Sequence, residues 1–137
     1  MTVVVDASVV VAALVDSGPD GQWAEQVLTA DTMAAPHLMP VEVANVLRRA
    51  VGAGEISDDV ASLAHADLVD LSVALFAYEA LSPRVWALRN NVTAYDAWYV
   101  ALAESLDAPL ATLDGRLADA AGPRCAVLRV GEQLRKV

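Results

Sequence analysis

Val3-Val4-Val5-Asp6-Ala7-Ser8-Val9-Val10-Val11-Ala12-Ala13-Leu14-Val15 carries two apolar runs with a carboxylate between them. The first run is short and β-branched, which suits a buried strand. The second begins at Ser8, read as a helix cap, and continues to Val15, so the reading is strand, then helix. The same alternation continues along the chain. Ser17-Gly18-Pro19-Asp20-Gly21 breaks the first helix, and Trp23, Val27 and Leu28 then recur at helical spacing. Met33 to Ala35 reads as a short strand ahead of Pro36, and Pro40 suits the first turn of a helix carrying Val43, Val46, Leu47 and Val51, ended by Gly52 and Gly54. Ser57 caps a helix with Asp58 and Asp59 in its first turn, and Ser72 to Tyr78 is expected as a strand. Ser82-Pro83 opens another helix that runs to the Asn90-Asn91 break. Thr93 opens the longest helix, Ala94 to Leu106, followed by a fourth strand, Pro109 to Leu113. A helix from Asp114 to Ala121, stopped by Gly122-Pro123, and a strand from Ala126 to Val130 complete the order. Strands separated by helices predict an α/β fold, because parallel neighbours need crossover connections and helices supply them.

The 137 residues suit a single domain, 1–137, with no repeat or dividing linker, and such a length buries a core without disulfides. The single Cys125 excludes an internal disulfide and a cysteine-based zinc site, and His37 and His65 are the only imidazoles, so any metal is expected to be held by oxygen. The apolar share of 56% is high, but the longest uncharged apolar stretch, from Ala7 to Val15, is far short of a spanning helix, so no membrane segment is expected. Asp6 interrupts the N-terminal apolar run and no basic region precedes it, which argues against a secretory signal and makes the cytoplasm the expected location. Eighteen acids against nine bases give a net charge of −9, so a general basic surface for nucleic acid is absent. The bases are eight arginines and Lys136. Phosphate contacts would therefore come from forked guanidinium groups in local patches.

Four acids stand where the predicted order brings them to one edge. Ligands of an open parallel sheet bind beyond the carboxyl ends of its strands. Asp6 ends the first strand, Asp114 follows the fourth, Glu42 lies in the first turn after the second, and Asp96 lies in the first turn of the long helix. Each has an ordinary structural role open to it as well. Asp96 three places after Thr93 could complete a capping box, Glu42 could favour its helix dipole, Asp114-Gly115 could be a turn, and Asp6 a strand end. Together, four carboxylates would repel one another unless a divalent cation neutralised them, and a hard oxygen-liganded ion such as magnesium or manganese resolves this.

Val4-Val5-Asp6-Ala7-Ser8, Pro40-Val41-Glu42-Val43-Ala44-Asn45, Thr93-Ala94-Tyr95-Asp96-Ala97 and Ala111-Thr112-Leu113-Asp114-Gly115-Arg116-Leu117 together resemble the four acidic motifs of PIN-domain nucleases. The resemblance spans nearly the whole chain, and its order and compact length are most similar to VapC-type ribonuclease toxins of type II toxin–antitoxin pairs. It implies a three-layer α/β/α fold around a parallel sheet of about five strands. It implies that Asp6, Glu42, Asp96 and Asp114 are the catalytic, metal-binding acids, supported by the hydroxyls of Ser8 and Thr112. The implied activity is Mg2+-dependent hydrolysis of RNA phosphodiesters, with Mn2+ as a substitute, by metal-activated water. Glu42 stays open as ligand, water-mediated contact or base. The implied partners are a second copy of the chain and a VapB-type antitoxin that lays an apolar segment in a groove and an arginine among the acids.

Arg49 lies about two turns beyond Glu42 on the same helix face, and Arg116 follows Asp114 closely, so both are candidate RNA contacts; solvated surface charge is the competing reading. Arg48, Arg84 and Arg89 are undecided in the same way. Tyr95, Trp98 and Tyr99 are assigned to core or dimer packing rather than base stacking, and Asp119 to a solvated helix face. Two other functions remain open. One is a binding module whose acidic pocket accepts a partner's arginines without catalysis. The other is an aspartyl-phosphate phosphotransferase, disfavoured because Ser8 stands where a second aspartate is needed and the only lysine is Lys136.

Overall fold

In the computed structural model, residues 1–30 and 32–133 are described. The order is β1 (Thr2–Val5), α1 (Ala7–Val15), α2 (Pro19–Val27), β2 (Thr32–Pro36), α3 (Met39–Gly52), α4 (Asp58–Asp70) and β3 (Val73–Phe76), then a 3-10 turn (Glu79–Leu81), α5 (Ser82–Ala87), α6 (Ala94–Leu106), β4 (Leu110–Ala111), α7 (Gly115–Asp119) and β5 (Val127–Leu128). The five strands form one sheet in the order β3-β2-β1-β4-β5, and every adjacent pair is parallel. From β1 the chain steps outward through β2 to β3, then returns past β1 to β4 and β5. Right-handed crossovers put the helices of these two excursions on opposite faces, which yields the α/β three-layer arrangement. In agreement, α1 packs on α2, α3 and α4, whereas α5 packs on α6 and α6 lies along β1, β2 and β4.

The direction of travel reverses between β1 and β4. These two strands are joined by Val4 N–H to Pro109 O at 2.9 Å and Asp6 N–H to Ala111 O at 3.1 Å. The reversal leaves a crevice outside their carboxyl ends, because the connections leaving them diverge. Val3, Val4 and Val5 are fully buried, as continuous β-branched runs in covered parallel strands should be. Each contributes about 1.5–3 kcal/mol by leaving water. From the other face Tyr99, Val100, Ala101, Leu102 and Ala103 close the core. Among the described residues no helix is long and apolar enough to cross a membrane.

Several ends differ from the sequence-based expectations. Ser8 is not a cap. Asp6 occupies the extended cap position at φ −73° and ψ 153°, and Ser8 sits inside the first turn. Ser82 likewise begins α5 rather than capping it, because the 3-10 turn before it leaves Leu81 in helical conformation, and the Ser82 hydroxyl donates back to Glu79 O. Helix α7 stops at Asp119, short of Ala121, and β3, β4 and β5 are each shorter than expected. Thr93 and Ser57 do cap their helices, accepting from Asp96 N–H and Val60 N–H.

Two glycines are required by position. Gly54, at φ +73°, follows α3 in the left-handed conformation while Gly54 N–H and Glu55 N–H return to Val51 O and Ala50 O, a paired closure that satisfies the last carbonyls of the helix. Gly21 lets α2 pass the end of α1, since a Cβ there would lie 1.7 Å from Asp16 O. Farther along, the Trp23 indole N–H donates to Glu132 O at 2.8 Å, fastening the segment after β5 onto α2.

Candidate active site

Asp6, Glu42, Asp96 and Asp114 line one open cleft of about 520 Å³ at the carboxyl edge of β1 and β4. Four different segments deliver them: the β1–α1 junction, the first turn of α3, the first turn of α6 and the cap of α7. Asp6 is the most enclosed, at 8% exposed. Its Oδ2 accepts from Thr112 Oγ1 at 2.6 Å and from Ser8 Oγ at 3.2 Å. Both hydroxyls are themselves anchored, Thr112 Oγ1 by Asp114 N–H at 3.0 Å and Ser8 Oγ by Leu113 N–H at 3.1 Å. A chain of four hydrogen bonds thus welds the β1–α1 junction to the segment after β4, and each bond polarises the next. Ser8 and Thr112 thus both direct their hydroxyls onto the Asp6 carboxylate.

Burial pushes the Asp6 carboxyl above its ordinary value, and the Thr112 and Ser8 hydroxyls only partly oppose it. Glu42 is raised by burial first and then by the charges of Asp6 and Asp96, against a hydrogen bond from Tyr99. Asp96 is raised by burial and by the neighbouring Asp6 and Asp114, with the Thr93 hydroxyl and the Arg116 charge opposing. The acids thus repel one another across the cleft, the condition that a divalent cation relieves. As the side chains stand, no group of three or more His, Cys, Asp or Glu among the described residues forms a ready ligand set for a metal. Asp6 Oδ2 is committed to two hydroxyls, Glu42 Oε1 to Tyr99, and Asp114 Oδ1 to Arg116 N–H at 2.9 Å. The Asp6 carboxylate also takes the backbone amides of Ala7 and Ser8, and Asp96 the Thr93 hydroxyl, whereas Glu42 Oε2 and Asp114 Oδ2 have no hydrogen-bond partner among the described residues. All donors are hard oxygens, so the set suits a cation such as Mg2+ or Mn2+ in charge and chemistry.

The residue that sequence reasoning missed is Tyr99. It is only 1% exposed, in keeping with its assignment to the core, yet its hydroxyl donates to Glu42 Oε1 at 2.6 Å. Burial and then the Glu42 charge lift its phenol well above the usual range, so it remains a proton donor to the carboxylate. A tyrosine three places after Asp96 shares its helix face, the one signal that pointed here. Trp98 is half-buried and edge-on to Tyr78, with ring centroids 5.3 Å apart and planes at 87°, but Tyr95 is exposed. Arg116 lies beside the site, its Nε 3.8 Å from Asp114 Oδ1 and its side chain 96% exposed. Arg49 is exposed on α3 and lines neither the acidic cleft nor the groove beside it. Asp119 is an exposed partner of Arg129, and Arg84 makes a bidentate pair with Glu104 away from the cleft. The position two residues after Asp6 holds a hydroxyl engaged with Asp6 itself, and Lys136 lies outside the described residues, so the phosphotransferase reading gains nothing.

Comparison with known proteins agrees with this geometry. The PIN domain family profile matches residues 3–123. Ribonuclease VapC1 of Mycobacterium tuberculosis is 44% identical over 128 residues, 90% of this chain and 94% of that protein. Among solved structures, PAE2754 from Pyrobaculum aerophilum superposes with a TM-score of 0.72 at 24% identity, covering 95% of this chain and 84% of the other. VapBC2 from Rickettsia felis, bound to a DNA fragment from its promoter, superposes with a TM-score of 0.67 at 12% identity, covering 94% and 98%. With its fold, its acidic cleft and this extent of sequence identity, the chain belongs to the PIN-domain family, among the VapC proteins.

Proposed function

We propose that the chain is a metal-dependent endoribonuclease and the toxic half of a toxin–antitoxin pair, held in check by a VapB-type protein. The observation that carries this reading is the convergence of Asp6, Glu42, Asp96 and Asp114 on a single cleft from four separate segments. The likeness to a protein named a ribonuclease, and to the VapBC2 fold, supports the choice of RNA and of a protein partner. Asp6, Asp96 and Asp114 would hold the ion, whose charge would relieve the repulsion that Asp6 and Asp114 exert on Asp96. The chemistry such an ion would supply when bound is a lowered pKa for water and compensation of charge on the phosphoryl oxygens. Glu42 contributes a basic carboxylate beside them. Its Oε1 is steered by the Tyr99 hydroxyl, and Oε2 is left to accept a proton from the attacking water or to join the ion. Thr112 and Ser8 keep Asp6 in one orientation as RNA enters. A homodimer in the cytoplasm completes the proposal, with an antitoxin arginine entering the acids to close the site.

The test is incubation of the purified protein with single-stranded and structured RNA in Mg2+, Mn2+ or chelator, beside Asp6→Ala and Asp96→Ala. Cleavage is expected only with metal and only in the parent protein. Cleavage that persists in both variants discredits the site, and tight RNA binding without cleavage in any metal favours a non-catalytic module.

A further inference from the structure

A second groove, of about 450 Å³, adjoins the acids. It runs between the α5–α6 connection and α7, and Asp96 and Asp114 belong to its lining as well as to that of the acidic cleft. Its remaining polar lining is of another character: Arg89 and Arg116, Asn90 and Asn91, and Thr93. This is unusual placement in a chain with nine bases and a net charge of −9. Two of its arginines flank the carboxylates that would otherwise repel a polyanion.

Arg89 is held in place. Its guanidinium carbon lies 4.6 Å from the centroid of the Trp86 ring, and Nη1 donates to Trp86 O at 2.8 Å. The other guanidinium nitrogens have no acceptor among the described residues. Trp86 itself is 66% exposed, an aromatic surface left in water next to a fixed cation. Single-stranded RNA is bound by this combination: cations on the phosphates, aromatic or guanidinium planes under the bases, and amides at the base edges.

We propose that this groove is a nucleotide subsite for single-stranded RNA, seating the nucleotide next to the cleaved phosphodiester, with Arg89 and Arg116 on its phosphate, Asn90 and Asn91 facing its base and Trp86, held against Arg89, as the stacking surface. The proposal rests on the reading of the acidic cleft as a nuclease centre, since the shared Asp96 and Asp114 define which strand lies where.

The experiment measures binding separately from cleavage. A fluorescent 12-nucleotide single-stranded RNA of mixed sequence is titrated across a salt series in an Asp6→Asn background, which keeps the RNA intact. Arg89→Ala is expected to weaken binding about tenfold and to reduce the slope of log affinity against log salt by about 0.7, the loss of one phosphate contact on a single strand. Arg89→Lys is expected to restore the slope but only part of the affinity, since the point charge returns without the planar fork. Trp86→Ala is expected to weaken binding about tenfold with the slope unchanged, as loss of stacking requires. Affinities and slopes that match the background in both alanine variants overturn the subsite. So do equal losses in Arg48→Ala on α3, which would reduce the effect to net charge, and sedimentation showing that Trp86→Ala splits a dimer while RNA binding is unaltered. Failure of the nuclease reading is visible separately, as parent protein that binds this RNA through Arg89 and leaves it uncut in every metal.

Discussion

Replacing Tyr99 by Phe removes one oxygen from a side chain that is 1% exposed and leaves the ring packed as before, so the change reports on a single hydrogen bond. That bond, 2.6 Å from the hydroxyl to Glu42 Oε1, is the only hydrogen bond the Glu42 side chain makes among the described residues. A hydrogen bond to a charged group contributes about 1.5–3 kcal/mol, and its loss leaves a half-buried carboxylate beside Asp6 and Asp96 without a donor. The same loss raises the Glu42 pKa further, because the hydroxyl it removes favours the ionised form. The direction with pH follows. Burial already raises Glu42 above its unfolded value, so the folded state takes up a proton more readily and the stability owed to Glu42 declines as pH rises through the raised value. The Tyr99 hydroxyl favours the ionised form, so its own contribution grows over the same range and shrinks as pH falls. Urea unfolding of parent and Tyr99→Phe in chelator is expected to differ by about 1.5–3 kcal/mol at pH 8 and by about 1 kcal/mol or less near pH 4, below the ordinary glutamate value, where a neutral carboxyl makes an ordinary hydrogen bond. A difference that is equal at both pH values, or below about 0.5 kcal/mol at pH 8, refutes the argument.

Asp6→Asn removes a buried charge whose pKa burial has raised, so in chelator it is expected to melt a few degrees above the parent while abolishing RNA cleavage; added Mg2+ should then raise the melting temperature of the parent more than that of the variant, and an unchanged or lower midpoint in chelator contradicts the electrostatic account. Gly21→Ala places a methyl 1.7 Å from Asp16 O and is expected to lower stability by about 3 kcal/mol or more, so a melting temperature matching the parent would show that α2 does not pass so close to the end of α1. Burial alone would raise the Glu104 pKa, but hydrogen bonds from Arg84 and from Arg124 N–H outweigh it and hold the group below its ordinary value. Arg84→Met is therefore expected to cost about 1–3 kcal/mol at pH 7 by urea unfolding, and that cost should fade as pH drops below the usual glutamate range and Glu104 takes up its proton; a pH-independent cost rules out the ion pair as its source.

The order of strands and helices was legible because Val3-Val4-Val5, Ser57-Asp58-Asp59 and Thr93-Ala94-Tyr95-Asp96 each combine an apolar period with a start signal. What the sequence hid was which polar residue occupies each junction. At the first junction Asp6 and Ser8 are both competent caps, and the choice fell to Asp6 because β1 pairs with β4 as far as its amide and holds its backbone extended. That same competition moved the Ser8 hydroxyl from a cap to the side chain of Asp6, a contact 105 residues from the Leu113 N–H that anchors it. Helical periodicity placed Tyr99 correctly on the buried face, yet period says nothing of what the tip of a side chain reaches, and the tip made Tyr99 part of the site. Arg49 shows the converse limit. Sharing a helix face with Glu42 fixes an angle about the axis, while two further turns carry the side chain away from the cleft edge.

The pairing of β1 with β4 has a bearing on how the protein is made. Asp6 leaves the ribosome ahead of the Thr112 hydroxyl that donates to its Oδ2 and of the Asp114 that completes the acidic edge, both of which follow more than a hundred residues later. Until β4 docks beside β1, the half-built chain holds a carboxylate with nowhere to settle and lacks the groups that would aim it. Synthesis itself thus acts as a timer, and the acidic cluster cannot come together until the segment carrying Thr112 and Asp114 has left the ribosome.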